Sequence, residues 1–403
     1  MKKSIISLVL ILCLAVCFMA MPMSAYAAGN GRAIQSGTAC VADGNALYYG
    51  GGKQWRVLDA DSTNTGASGM FLLSEEMLAS SFQFEAAWNS DDGDGQTKPN
   101  DWQNSDAQKW CQNYLAANFT ASEQAAVLSV SKNDAEVTLY SIPWGTSSLS
   151  GERLFFLSAQ EAATYLGNFD GASGLQSSSY WWLRSPYANH DDRAGVVGPD
   201  GFVYTNIVDN YYSARPAFNL NLNSVLFTSA AVGGKSSGAV GAGAISEISA
   251  YSGNDWKVTL FDGSRSGFTA ETTANNAGVL TIEYSGAATG QNEYISAIIA
   301  DGSTYTHYGR LAASSGSGSV TIDLSGINTG GKTLYIFNEQ YNGDYKTDLS
   351  SSLIGVKIPA STNVNNPYGV PSTGSHRDTG LMITLALLSG AGLLFSLRRK
   401  REA

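Results

Sequence analysis

The sequence predicts an α+β domain followed by an all-β, immunoglobulin-like sandwich, set between a cleaved signal peptide and a C-terminal transmembrane tail. Three observations carry this expectation. Strand-like runs and capped helices are mixed up to about residue 227, whereas from 251 to 358 short β-branched runs follow one another with Gly, Asn, Ser and Asp clusters between them. Both ends of the chain are apolar with basic flanks.

Residues 1–27 carry Lys2 and Lys3, an apolar run from Ile5 to about Ala20, and a closing Ala25-Tyr26-Ala27. A positive start, an apolar stretch short of a comfortable membrane span and a small-x-small ending define a signal peptide, with cleavage after Ala27. Cys17 stands in a lipobox-like context, but bulky Val16 beside it argues against lipidation.

The first domain is expected over 31–227. Gln54–Leu58 and Met70–Leu73 read as strands, and Ser105–Phe119 as a helix that brings Trp110, Tyr114 and Leu115 to neighbouring faces. Thr120-Ala121-Ser122-Glu123 and Ser158-Ala159-Gln160-Glu161 fit the capping box, in which a hydroxyl and a carboxylate satisfy open amides at a helix start. Two similar stretches, Phe71–Met77 and Phe155–Glu161, each read as a strand running into a short helix.

Residues 228–250, rich in Gly, Ala and Ser, read as a flexible linker. Beyond it, Trp256–Leu260, Val279–Tyr284, Tyr294–Ile299, Val320–Leu324 and Thr333–Phe337 are strands of the second domain, 251–358. Residues 359–369 form a stalk. Then come Val370-Pro371-Ser372-Thr373-Gly374, a polar spacer, an apolar run over 381–397 that is long enough to cross a bilayer, and a basic cluster ending at Arg401.

Only 14% of the 403 residues are charged, and the net charge is −10. Removing 1–27 and 374–403 takes away seven basic and two acidic residues, which brings the exported body to −15. That field excludes a nucleic-acid partner, because nothing neutralises phosphate. Two histidines remain, His190 and His307, in different expected domains, too few for a zinc or triad centre. Gly234-Lys235-Ser236-Ser237-Gly238 and Ser129-Val130-Ser131-Lys132 match nucleophile motifs on paper but lack their structural context and partner motifs.

Other candidates keep two readings. Asp91, Asp92 and Asp94, and Asp191 and Asp192, are either calcium ligands or polar turn residues; neither group has EF-hand spacing. Cys40 and Cys111 either form a disulfide, in an oxidising exterior, or leave Cys111 packed in its helix. Trp181, Trp182, Arg184 and Arg215 either contact a ligand or belong to the core, and Tyr180 and Tyr211-Tyr212 extend the aromatic text toward a sugar-stacking platform. No carboxylate pair for glycoside hydrolysis stands out.

Two resemblances follow from these residues. Val370–Gly374 with its spacer, apolar run and basic end resembles the cell-wall sorting signal of Gram-positive surface proteins, with Val370 where Leu is usual. This implies that a sortase cysteine attacks the Thr373 carbonyl and passes the acyl group to peptidoglycan. The blocks Trp181-Trp182-Leu183-Arg184-Ser185-Pro186 and Arg215-Pro216-Ala217 resemble an uncharacterised extracellular domain of Gram-positive proteins and, more distantly, C-type-lectin-like and sulfatase-modifying-factor-like folds. The resemblances imply a wall-anchored surface protein with sortase and peptidoglycan as partners and a glycan or protein as ligand, in a binding or adhesive role. The alternatives are a wall- or carbohydrate-active enzyme using first-domain carboxylates, and a structural spacer that binds nothing. No cofactor is expected unless calcium is held.

Overall fold

The computed structural model describes residues 41–62, 69–86, 98–139, 141–166, 177–235, 240–249 and 251–359. The signal peptide with Ala27, Cys40, the Asp91/Asp92/Asp94 turn, residues 360–369 of the expected stalk, the 370–374 motif and the 381–397 run lie outside them. The fold is mostly β. Among the described residues no helix is long and apolar enough to cross a membrane.

A 13-stranded sheet runs through the molecule. From one edge its strands are Ser246–Glu247, Thr304–Ala313, Glu293–Asp301, Thr333–Gln340, Asp348–Ser350, Asp255–Phe261, Ala46–Tyr49, Lys53–Ser62, Gly69–Ser74, Pro216–Leu220 and Phe155–Phe156. Val225–Ala230 and Ile354–Val356 branch from it. Burial patterns explain the sequence text. Gly69–Ser74, Pro216–Leu220 and Val225–Ala230 are buried along their whole length and read as continuous runs, because both faces are covered. Thr269–Asn276 and Val279–Ser285 alternate, because one face meets solvent.

Asp255–Phe261 is the seam. Val225–Ala230 pairs antiparallel along one of its edges, while Ala46–Tyr48 and Asp348–Ser350 pair parallel with it. Trp256, Val258 and Leu260 therefore complete the core built by Leu47, Trp55, Val57, Phe71 and Phe218. This corrects two expectations. The described residues of 228–250 do not read as a flexible linker: Thr228–Ala230 finish a buried strand, Lys235 is buried, and Ser246–Glu247 pair with Thr304–Ala313. Nor does the sheet break between 31–227 and 251–358, since strands from both sides share one ladder.

In the second half, a three-stranded sheet of Thr269–Asn276, Val279–Ser285 and Gly318–Asp323 faces the large sheet. Leu280, Ile282 and Ile322 meet Ile295, Ile299 and Ile336 in a core of their own.

The helices are α1 (Asp106–Asn118), α2 (Ala121–Ala126) and α3 (Ala159–Leu166). Ser105 caps α1 by accepting from the Gln108 N–H. Both capping boxes form: Thr120 with Glu123, and Ser158 with Glu161, whose carboxylate accepts the Ser158 N–H at 2.9 Å while the Ser158 hydroxyl accepts the Glu161 N–H at 3.1 Å. Phe155-Phe156 does run into α3. Its counterpart does not, because Glu75–Leu78 pass through bends with no helix. Glu75 is drawn instead into a hydrogen bond from the Arg56 Nε, at 2.8 Å.

Candidate functional site

A second sheet orders Val203–Ile207, Arg193–Val197, Trp181–Pro186, Tyr212–Ala214 and Ala79–Phe82. Its strand Trp181–Pro186 is buried at every position. Trp181 lies under the Arg215 guanidinium, 5.2 Å from ring centre to Cζ, and Trp182 packs edge-on against Phe84 and Tyr212 while its Nε1 donates to the Phe82 carbonyl at 3.0 Å. Trp181, Trp182, Arg184 and Arg215 are thus core residues rather than ligand contacts.

Arg184 is the most constrained. Its guanidinium donates to Glu161, to Asp134 and, at 2.6 Å, to the Phe156 carbonyl, while Lys132 Nζ sits 2.7 Å from Glu161 and 3.0 Å from Asp134. Burial pushes the Glu161 carboxyl up, but the charges and hydrogen bonds of Arg184 and Lys132 outweigh it and hold the group at about 2. A cleft of about 380 Å³ opens beside this cluster, lined by Lys132, Asn133, Asp134, Gln160, Glu161 and Tyr165. Glycoside hydrolysis needs one carboxyl kept protonated as an acid. Glu161 is held ionised and does not supply that acid; its contacts tie Arg184 and Lys132 into the core. Lys132 of the Ser-x-x-Lys match is engaged there, and Ser129 Oγ donates to the Gly151 carbonyl at 3.0 Å.

Most of the exposed aromatics lie on or next to strands of the small sheet. Tyr180, Phe202, Tyr204 and Tyr211 all reach solvent. Tyr180 is central, its ring centre 5.2 Å from Tyr212 and 6.2 Å from Tyr204. Gly198 makes this possible: a Cβ there would fall 2.9 Å from the Tyr204 ring and 3.1 Å from that of Tyr180. The hairpin Gly198-Pro199-Asp200-Gly201 places Asp200 so that its carboxylate accepts the Tyr204 hydroxyl at 2.6 Å and the Phe202 N–H at 3.1 Å. That bond lifts the Tyr204 phenol to about 12 and keeps it protonated, with Asp200 held below the usual carboxylate range. Asn206 donates to the Tyr212 hydroxyl and accepts from Asn210 at 2.6 Å. The result is a row of rings with fixed hydroxyl, carboxylate and amide groups between them, on a rigid sheet.

Residues 67–222 match the family model of a domain of unknown function, DUF6273. The match spans less than half of the chain and takes in the small sheet, the aromatic row and the Arg184 cluster. No curated protein and no solved structure matches the chain.

The other expected sites fare as follows. Asp191 is exposed, and Asp192 faces His190 Nδ1 at 3.9 Å. The carbonyls of His190 and Arg193 beside them both accept from the Asn100 side-chain amide at 2.9 Å, so that loop is organised around an uncharged donor. Among the described residues no three of His, Cys, Asp and Glu gather as metal ligands. Cys111 is a free, fully buried thiol whose pKa burial raises, packed on α1 instead of bridged.

Sequence reasoning missed one cluster altogether. Lys235, Lys257, Glu339 and Asp348 are all fully buried and in contact, although they come from the expected linker and three strands. The available signal was Lys257, a charge inside the otherwise apolar run Trp256–Leu260 of a strand covered on both faces.

Proposed function

We propose that this chain is a secreted surface protein, covalently anchored to a Gram-positive cell wall at Thr373, that binds extracellular glycans through the aromatic face of its small sheet. The carrying observation is the Tyr180, Tyr204, Tyr212 row with its Asp200, Asn206 and Asn210 groups. Apolar sugar faces stack on exposed rings that have little rotamer freedom to lose, and the fixed polar atoms between the rings read hydroxyl positions. The signal-peptide and sorting-type ends support the location. The first half, with its two longer helices, its pairing of Gly69–Ser74 with Pro216–Leu220 and its separate small sheet, supports a C-type-lectin-like reading, and the two facing sheets of the second half support an immunoglobulin-like one. Sortase and peptidoglycan are the partners of anchoring; the ligand is a neutral glycan, given the acidic body.

The binding test is a glycan array probed with the exported chain beside its Tyr180→Ala and Tyr204→Ala variants. Each substitution is expected to weaken binding by about tenfold, or ~1.4 kcal/mol. Binding that survives both substitutions would place the ligand elsewhere, and an array with no signal would leave the spacer reading. For anchoring, wall-degrading enzyme should release the protein from cells, and Thr373→Ala should leave it in the membrane fraction.

A further inference from the structure

Lys235 follows the buried strand Val225–Ala230 in a turn that is pinned from three sides. The Ala231 N–H donates to the Asp255 carbonyl at 2.8 Å, the Gly233 N–H to Asp344 at 3.2 Å, and the Tyr345 N–H to the Ala231 carbonyl at 2.9 Å. The turn delivers Lys235 Nζ between two carboxylates, 2.7 Å from Glu339 Oε2 and 2.8 Å from Asp348 Oδ2. Lys257 Nζ approaches the same Asp348 Oδ2 at 2.8 Å from the neighbouring strand and donates to the Gly343 carbonyl at 2.7 Å. All four side chains are inaccessible to solvent. Aromatic rings close the space: Phe227 and Tyr308 lie 4.9 and 5.9 Å from Lys235 Nζ, and Tyr341 lies 4.6 Å from Lys257 Nζ.

Salt bridging alone is a poor reason for this arrangement, since the desolvation cost of buried charges often exceeds their attraction. Neither lysine meets Asp348 Oδ2 along a well-aligned hydrogen bond despite the short distances. What the arrangement does supply is every part of an amide-forming site. Lys235 is an amine held against a carboxyl group in a dry enclosure, where proximity replaces concentration. Glu339 touches that amine and is itself fixed by Ser296 Oγ at 2.6 Å and by the Tyr308 hydroxyl. The backbone N–H of Asn342 donates to Asp348 Oδ1 at 2.8 Å, where the negative charge of a tetrahedral intermediate would develop.

We propose that Lys235 and Asp348 join in an intramolecular isopeptide bond, with Glu339 relaying the protons. Glu339 takes one proton from the Lys235 ammonium, and the neutral amine attacks Asp348 Cγ, forming the C–N bond. Charge on Oδ1 is met by the Asn342 N–H and charge on Oδ2 by Lys257. Glu339 returns its proton to Oδ2, a second proton follows from nitrogen, and the C–Oδ2 bond breaks to release one water. One ammonium and one carboxylate become a neutral amide and water; no oxidant, metal or cofactor enters, and Glu339 and Lys257 end as they began. The step also removes two opposite charges from the dry interior.

The test is peptide mapping and intact mass of the full chain after complete denaturation. The wild-type protein is expected to be lighter by one water than the mass of its own sequence, whereas Glu339→Gln processed in the same way should keep its full sequence mass. It should resist trypsin after Lys235 and yield a branched peptide joining the Lys235 segment to the Asp348 segment. Cleavage after Lys235 with an unmodified Asp348 peptide in the folded wild type overturns the proposal, and needs no variant to do so. A branch from Lys257 instead overturns the choice of amine. A cross-link that persists in Glu339→Gln overturns the role given to Glu339.

Discussion

Arg184 shows how much one side chain can decide. Its burial was open to the sequence only as one of two readings, because Asp134 and Glu161 lie 50 and 23 positions away and nothing local announces them. With its guanidinium gone, Glu161 and Asp134 would keep Lys132 as their only cationic partner, so Arg184→Met is expected to cost about 3–5 kcal/mol in a urea melt. The same cluster sets a pH response. Glu161 titrates at about 2 in the folded protein against an ordinary 4.5, so its contribution is complete above the ordinary value and drains away as pH falls toward the folded one. Stability measured from neutral to acid pH should decline in that window, and Glu161→Gln should decline less. Equal slopes for the two proteins would contradict the assignment.

At the scale of elements, most of the text was legible. α1, Asp106–Asn118, falls within the stretch Ser105–Phe119 that reads as helical, and the capping boxes and the five second-half strands stand where hydroxyl–carboxylate spacing and β-branched runs place them. The misreading came from small residues. The Gly/Ala/Ser content of 228–250 looks like a chain with nothing to bury, but Thr228–Ala230 are buried in a strand, and Gly234 is small because a Cβ there would lie 2.5 Å from the Ala230 backbone. Gly309 demonstrates the point from the other side: a Cβ there would lie 2.6 Å from the Ile245 backbone. Gly309→Ala should therefore lift the 241–247 segment from the strand Thr304–Ala313, costing about 1–3 kcal/mol by overpacking. Faster amide exchange confined to Ser246 and Glu247 and their partners Tyr308 and His307 would report it. The reverse misreading occurred at Glu75, where helix-like text yields to a carboxylate needed by Arg56.

For the whole molecule, the shared ladder overrides the two-domain division that composition suggests. Trp256, Val258 and Leu260 sit in the core of the first half, so that half does not close without the strand Asp255–Phe261. Calorimetry of residues 28–373 should give one cooperative transition. A fragment ending at 227 should expose its unpaired Val225 edge and the seat of Trp256, and bind a hydrophobic dye; two separate transitions, or a compact folded fragment, would restore the division. The aromatic row was half legible in the same sense. Its tyrosines could be counted, but which rings face solvent depends on the alternation of a strand whose burial comes from elements far away in sequence.

The seam strand has a mechanical consequence. Because Val225–Ala230 occupies one edge of Asp255–Phe261, the strands Ala46–Tyr49 and Asp348–Ser350 lie end to end along the other, both parallel to it. The chain enters at the Asp255 end and leaves at the Phe261 end. A tug between its two ends therefore drags these strands in opposite directions along the seam, in shear, so that their ladder bonds share the load and must fail together instead of unzipping one by one. Against a pull between the two ends of the chain, that geometry makes the middle of the molecule a clamp.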